Sequence, residues 1–202
     1  NPAHEKRVAE IVAQEMPGVH ISCSHQVLPR APEYDRTSTT VVNAYVAPRV
    51  TSYLERLVTR LAEAGYQNQL MVMQASGGVM TCEYIEGSPV RVLASGPAGG
   101  VIGSAHVGLA KGYPNLLSVD MGGTSYDISM VLNGTAPAVA GWNMHHRYLV
   151  GVPMVQVETL GAGGGSVCHV DNGELQVGPA SAGSEPGPIC YGRGGTQPTI
   201  TD

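Results

Sequence analysis

The chemistry in this chain gathers on one stretch, Asp120-Met121-Gly122-Gly123-Thr124-Ser125-Tyr126-Asp127. The two carboxylates, Asp120 and Asp127, offer oxygen to a hard cation, Mg²⁺ above all, directly or through water. Gly122 and Gly123 allow a tight turn whose N–H groups can approach an anion that a Cβ would hold off. Thr124 and Ser125 add hydroxyl donors. The same residues would also make a plain Gly-Gly hairpin with polar decoration, because a glycine-rich turn alone is a weak motif.

Two further glycine-rich turns each follow an apolar run. Gln74-Ala75-Ser76-Gly77-Gly78-Val79 follows Leu70-Met71-Val72-Met73, and Gly161-Ala162-Gly163-Gly164-Gly165-Ser166 follows Val155-Gln156-Val157-Glu158-Thr159-Leu160. In open α/β sheets, ligands collect at the C-terminal ends of strands. Three such turns around one cleft would suit a nucleotide; each alone is also an ordinary loop. Ser95-Gly96-Pro97 suits a helix start near a phosphate. The small residues after it, Ala98, Gly99, Gly103 and Ala105, suit close helix packing. His145 and His146 are adjacent, so in a strand they face opposite ways and make a poor chelating pair.

The elements that must position these groups follow from apolar spacing. Leu116 to Val119 reads as a buried strand entering the first turn, and Ile128 to Leu132 as the strand leaving it. Asn133-Gly134 predicts a hairpin with a strand returning over 135–140. Val167 to Asp171, Asn172-Gly173 and Glu174 to Val177 predict a second hairpin. Upstream, a helix is expected over 2–16, capped by Asn1 and stopped by Pro17-Gly18. A short strand over 19–23 and an irregular stretch over 24–35 should follow. A helix ends near Val46, and Pro48 leads into a second one. That one carries Val50, Tyr53, Leu54, Leu57, Val58 and Leu61 as a packing stripe, and Gly65 ends it. Residues 81–87 suit one helical turn, Val90 to Leu93 reads as extended, and 178–202 reads as a long Gly/Pro-rich loop.

Composition narrows the function classes. The 202 residues suffice for one large domain or two small ones. A net charge of -5 with no Lys/Arg cluster argues against a nucleic-acid surface. No apolar run approaches the ~20 residues of a membrane helix. Cys23, Cys82, Cys168 and Cys190 lie far apart, fitting neither a zinc ribbon nor a disulfide scaffold. Free thiols and a cytoplasmic location are the expectation. The chain does not begin with Met and reads as an excerpt.

Four segments in order carry a family likeness. They are Ser95-Gly96-Pro97-Ala98-Gly99-Gly100-Val101, Asp120-Met121-Gly122-Gly123-Thr124-Ser125, Gly161 to Ser166, and the tail from Val177 to Asp202 with Pro186-Gly187-Pro188-Ile189-Cys190-Tyr191-Gly192-Arg193-Gly194-Gly195. Ser24-His25-Gln26-Val27-Leu28-Pro29 and Glu33-Tyr34-Asp35-Arg36-Thr37-Ser38-Thr39-Thr40 extend it to the front. The chain resembles the hydantoinase A / 5-oxoprolinase family over nearly its whole length.

That resemblance implies an α/β, actin-like ATPase fold of the ribonuclease H-like kind, with a mixed sheet and flanking helices. It implies ATP-dependent hydrolysis of a cyclic amide such as hydantoin or 5-oxoproline, with ATP and Mg²⁺ as cofactors and a hydantoinase B-like subunit or domain as partner. Asp120, Gly122, Gly123, Thr124 and Ser125 would form the second phosphate loop. Gly163, Gly164 and Gly165 would lie against the nucleotide, and Asp120 and Asp127 would serve the metal. Residues 1–111 would be the helical and connector part, and 112–202 the lobe with the second loop. An ATP-dependent ketone carboxylase subunit shares these motifs, and a non-catalytic actin-like nucleotide-binding module is a further alternative. Two departures stand out. Tyr126 occupies a position where Thr is common, and nothing before Leu116 matches a first phosphate loop. The chain is therefore expected to be an internal fragment, inactive by itself.

Overall fold

The chain enters α1 (Ala3–Glu15) through a side-chain cap, the Ala3 amide donating to Asn1 Oδ1 at 3.0 Å. Then come α2 (Ser24–Val27), α3 (Glu33–Glu63), β1 (Met71–Met73), β2 (Val79–Thr81), α4 (Cys82–Gly87) and α5 (Ser95–Ala110). β3 (Leu116–Met121) and β4 (Tyr126–Val131) form a hairpin. They are followed by β5 (Ala138–Val139), β6 (Trp142–His145), β7 (Tyr148–Val150) and β8 (Met154–Val155). The last strands are β9 (Glu158–Leu160), β10 (Ser166–Asp171) and β11 (Glu174–Ser181). This computed structural model describes residues 1–145 and 148–202, without the side chains of Met144 and His145. Of the His145–His146 pair expected to be a poor chelator, His146 and the side chain of His145 lie outside the described residues.

The chain forms two compact units that interleave in sequence, residues 1–99 with 138–155 and residues 100–137 with 156–202. In the first unit, Val27, Leu28, Val42, Ala75, Val90, Val150, Val152 and Met154 make the core. Two buried polar residues of α3 organise it. Asn43 donates from Nδ2 to Ser22 Oγ at 3.0 Å and accepts from the Val90 amide at 3.0 Å. Thr39 Oγ1 donates to the Asp35 carbonyl at 2.6 Å and accepts from the Gly151 amide at 2.8 Å. Each satisfies backbone groups that burial would otherwise orphan.

The second unit is built on the antiparallel sheet β3-β4-β9 and the hairpin β10-β11. Ser118 Oγ meets Ser104 Oγ of α5 at 2.9 Å, and Ser129 Oγ donates to the Gln156 carbonyl at 2.6 Å. Both serines are buried.

Several expectations change. Residues 19–23 form no strand, since side chains and not a neighbouring strand hold them. The stretch over 24–35 is not wholly irregular, as α2 and the start of α3 occupy it. The two expected helices are one, running through Pro48. Proline removes the bond to Ala44, but buried Asn43, Ala47 and Leu54 on both sides keep the axis continuous. Of the stripe after Pro48 only Leu54 is buried, while Tyr53 and Val58 face solvent. Residues 89–92 form a 3₁₀ turn and no extended strand. Asn133 and Gly134 adopt the left-handed pair at φ 51° and 72° that an Asn-Gly turn requires. Yet the return reaches only Thr135, opposite Leu132. β5 pairs with β8, and β9 takes the free edge of β4. Where a mixed sheet was expected, the strand pairs among the described residues are antiparallel. In α5 the close approach falls at Gly108, where a Cβ would meet the Tyr113 carbonyl at 2.8 Å, and not at Gly103.

Candidate anion site formed by two docked glycine turns

The site lies in the second unit, at the tip of the β3-β4 hairpin. Asp120 and Asp127 are register partners across that pair, so their side chains leave the same face. Carboxylates directly opposed on an antiparallel pair disfavour each other, and a cation or donor between them relieves this. Asp127 already has one donor, Thr159 Oγ1 at 2.6 Å from β9. Asp120 is exposed.

Gly122 to Ser125 close the turn through the Gly122 amide, which donates to the Ser125 carbonyl at 3.0 Å. The amides of Gly123, Thr124 and Ser125 donate to no acceptor among the described residues. Successive free amides on a short turn are the makings of an anion cradle.

The third glycine-rich turn docks on this one by backbone. The Gly164 amide donates to the Gly122 carbonyl at 2.9 Å, and the Gly165 amide to the Gly123 carbonyl at 2.7 Å. These bonds give the Gly122 and Gly123 carbonyls protein donors. Gly163 shows why the sequence is so small here. A Cβ on it would stand 2.5 Å from the Thr124 nitrogen and 2.6 Å from the Ser125 nitrogen. On Gly165 a Cβ would stand 2.9 Å from the Gly123 carbonyl oxygen. On Gly164 it would meet Thr201 Oγ1 at 2.6 Å. The structure thus brings Asp120, Gly122, Gly123, Thr124, Ser125, Asp127, Gly163, Gly164 and Gly165 together.

The tail holds the docked turn in place. Thr201 donates to the Gly164 carbonyl from Oγ1 at 2.8 Å and from its amide at 3.1 Å. Asp202 in turn organises the tail. Its carboxylate accepts from the Cys190 amide at 2.8 Å, the Thr199 amide at 2.9 Å, Thr199 Oγ1 at 3.1 Å and the Ile189 amide at 3.3 Å. These donors, the Cys190 amide foremost, hold the Asp202 carboxyl well below the usual carboxylate range. The long loop expected over 178–202 is strand as far as Ser181, where β11 ends, and Thr201 and Asp202 hold the rest in place. The signal was there in Thr199-Ile200-Thr201-Asp202, whose short hydrogen-bonding side chains compete for loop backbone. The Gln74–Gly78 turn and the start of α5 belong to the first unit.

The comparisons with known proteins agree on one family. A family model described as Hydantoinase/oxoprolinase matches residues 36–202. Caprolactamase subunit alpha of Pseudomonas jessenii is 45% identical over 203 aligned residues, covering 100% of this chain and 29% of that protein. The crystal structure of the ATP-dependent caprolactamase from Pseudomonas jessenii superposes with a TM-score of 0.82 at 43% identity, over 100% of this chain and 29% of that one. The nucleotide-free structure of acetone carboxylase gives 0.76 at 30% identity, again over 100% and 29%. The chain therefore spans under a third of the length of these relatives.

Proposed function

This chain belongs to the hydantoinase/oxoprolinase family, and from that premise we propose that the polypeptide carrying it hydrolyses a cyclic amide at the expense of ATP. The carrying observation is the docked pair of turns: three amides without acceptors among the described residues, beside two opposed carboxylates. The family and the relative's ATP-dependent lactam chemistry support the reading.

In this reading the fold is actin-like, with residues 112–202 carrying the second phosphate loop and 1–111 the helical and connector part, a division by role. The Gly123, Thr124 and Ser125 amides, with the hydroxyls of Thr124 and Ser125, orient the nucleotide's phosphates. Gly163, Gly164 and Gly165 bring backbone to the same side. Asp120 and Asp127 fit a hard divalent ion by donor type and by their shared face. Mg²⁺ there would offset the negative charge of the phosphates. ATP suits the substrate class, because an amide carbonyl is a poor electrophile until its oxygen becomes a leaving group. A donor-lined turn that needs no rearrangement stabilises charge as it develops. A hydantoinase B-like subunit or domain is the proposed partner, and the cytoplasm the proposed location. Among the described residues no helix is long and apolar enough to cross a membrane.

The second reading, an ATP-dependent ketone carboxylase subunit, is favoured by the likeness to acetone carboxylase. One panel separates the two. The full-length protein with its partner is assayed for ATP turnover with caprolactam, 5-oxoproline, hydantoin, and acetone plus bicarbonate. Stimulation by a lactam or hydantoin supports the proposal, and stimulation by acetone plus bicarbonate alone replaces it. Asp120→Asn should cut turnover at least a hundredfold while leaving the melting temperature within a few degrees. Wild-type turnover in that variant would remove Asp120 from the site.

A further inference from the structure

In the first unit, far in sequence from the glycine turns, Glu5 of α1 meets Cys23 and His25. One ligand atom from each of the three lies within 4.8 Å of the others, all partly buried. From this we infer a binding site for a zinc-class divalent ion, with the Glu5 carboxylate, the Cys23 thiolate and the His25 imidazole as its protein ligands.

The donor set is nitrogen, sulfur and oxygen, the mixture that borderline-soft Zn²⁺ takes. The arrangement of the carboxylate is that of a ligand already aimed. Glu5 Oε2 and His25 Nδ1 share a hydrogen bond at 2.9 Å, which a bound ion would replace by drawing both atoms to itself. Glu5 Oε1 is turned away and fixed by Ser24 Oγ at 2.5 Å and Arg36 Nη2 at 2.5 Å. Arg36 Nε also donates to Ser24 Oγ at 2.6 Å. Hydrogen bonds of this kind on the far oxygen orient a ligating carboxylate, and Oε2, which accepts from the His25 amide at 3.0 Å, keeps a lone pair for the ion. Ligand atoms of one tetrahedral zinc stand roughly 3.5 Å apart, so the three atoms, now within 4.8 Å of one another, would adjust by about 1 Å on binding. Binding releases the Cys23 proton and leaves the His25 proton on Nε2. The Cys23 thiol, raised by burial and by the nearby Glu5 charge without metal, becomes a thiolate when the ion sits between them. Glu5 and Cys23 line a groove together with Val8, Val12, Ser24 and Thr40, which would give a solvent ligand room to complete a four-coordinate site.

A metal here also answers a packing question. No residue of α1 is buried. Among the described residues, Glu5 supplies the hydrogen bonds that tie α1 to α2 and α3. An ion bridging Glu5 to Cys23 and His25 would pin a helix that packing barely holds.

The test uses the full-length protein, stripped with a chelator and then titrated with Zn²⁺ against a chromophoric competitor. Co²⁺ serves in parallel as an optical probe. Wild type should bind one equivalent more tightly than Cys23→Ser by at least tenfold. Only wild type should show the cobalt–thiolate charge-transfer band from this site. Should Cys23→Ser unfold by circular dichroism, His25→Gln gives the same comparison. Equal zinc affinity and stoichiometry with identical cobalt spectra in wild type and variant would overturn the inference. So would no zinc binding at all, leaving Glu5–His25–Arg36 as an ion-pair staple.

Discussion

Glu5 is the residue whose titration has the clearest consequence. Ser24 first, then the His25 side chain and amide, with a smaller part from Arg36, push its carboxyl from 4.5 down to about 2. The unfolded chain binds that proton more readily, so folding gains from the ionised form. That gain is whole above pH 4.5 and is lost as pH falls toward 2. Metal-free wild type should therefore lose melting temperature through this interval more steeply than Glu5→Gln, which should start a few degrees lower at neutral pH. Parallel curves for the two proteins would show that the cluster adds nothing to stability.

At the scale of elements, the docking of one glycine turn on another decides what the hairpin tip can do. Gly163→Ala places a Cβ against the backbone of Thr124 and Ser125, and backbone cannot rotate away. It should cost at least about 2 kcal/mol of stability. Gly161 lies two residues earlier with open space around it, and Gly161→Ala should be tolerated. Equal melting temperatures for the two variants would contradict the docking. Much of this was legible in the sequence. The strand–turn–strand around Gly122-Gly123 and the β10-β11 hairpin at Asn172-Gly173 follow from local turn chemistry and alternation, and both hairpins formed, but the expected burial of Leu116 to Val119 did not, since Ser118 is buried while Leu117 and Val119 face solvent. What local pattern could not give was partnership. The return after Asn133-Gly134 looked like an ordinary hairpin, but β9, from 158–160, won the edge of β4. Residues 19–23 alternate like a strand and found no strand to pair with. Pro48 looked like a helix boundary until packing through Asn43, Ala47 and Leu54 outweighed its missing bond. The carboxylates, hydroxyls and glycines of the site could be named from type and spacing alone. The clamp was legible only in part: the short hydrogen-bonding side chains over 199–202 mark held loop backbone, but the Thr201 bond to Gly164 joins residues 37 apart along the chain.

At the scale of the molecule, this chain leaves much apolar surface uncovered. Leu117, Val119, Met121, Met130 and Leu160 on the β3-β4-β9 sheet face solvent, as do Val177, Ile189, Tyr191 and Ile200 of the tail. Patches of this kind mark interfaces. Residues 1–202 made alone should bind a hydrophobic dye, self-associate and show no substrate-stimulated ATP turnover. Stimulated turnover from that piece would mean the active site is complete within it. The Gly122–Ser125 turn is the proposed holder of the phosphates of ATP. The most direct measurement of that role is amide hydrogen exchange in the full-length protein, with and without saturating Mg·ADP. The account predicts that exchange slows at Gly123, Thr124 and Ser125, and that Asp120→Asn weakens the protection. Unchanged exchange at those three amides, with bound nucleotide protecting other segments, would contradict it.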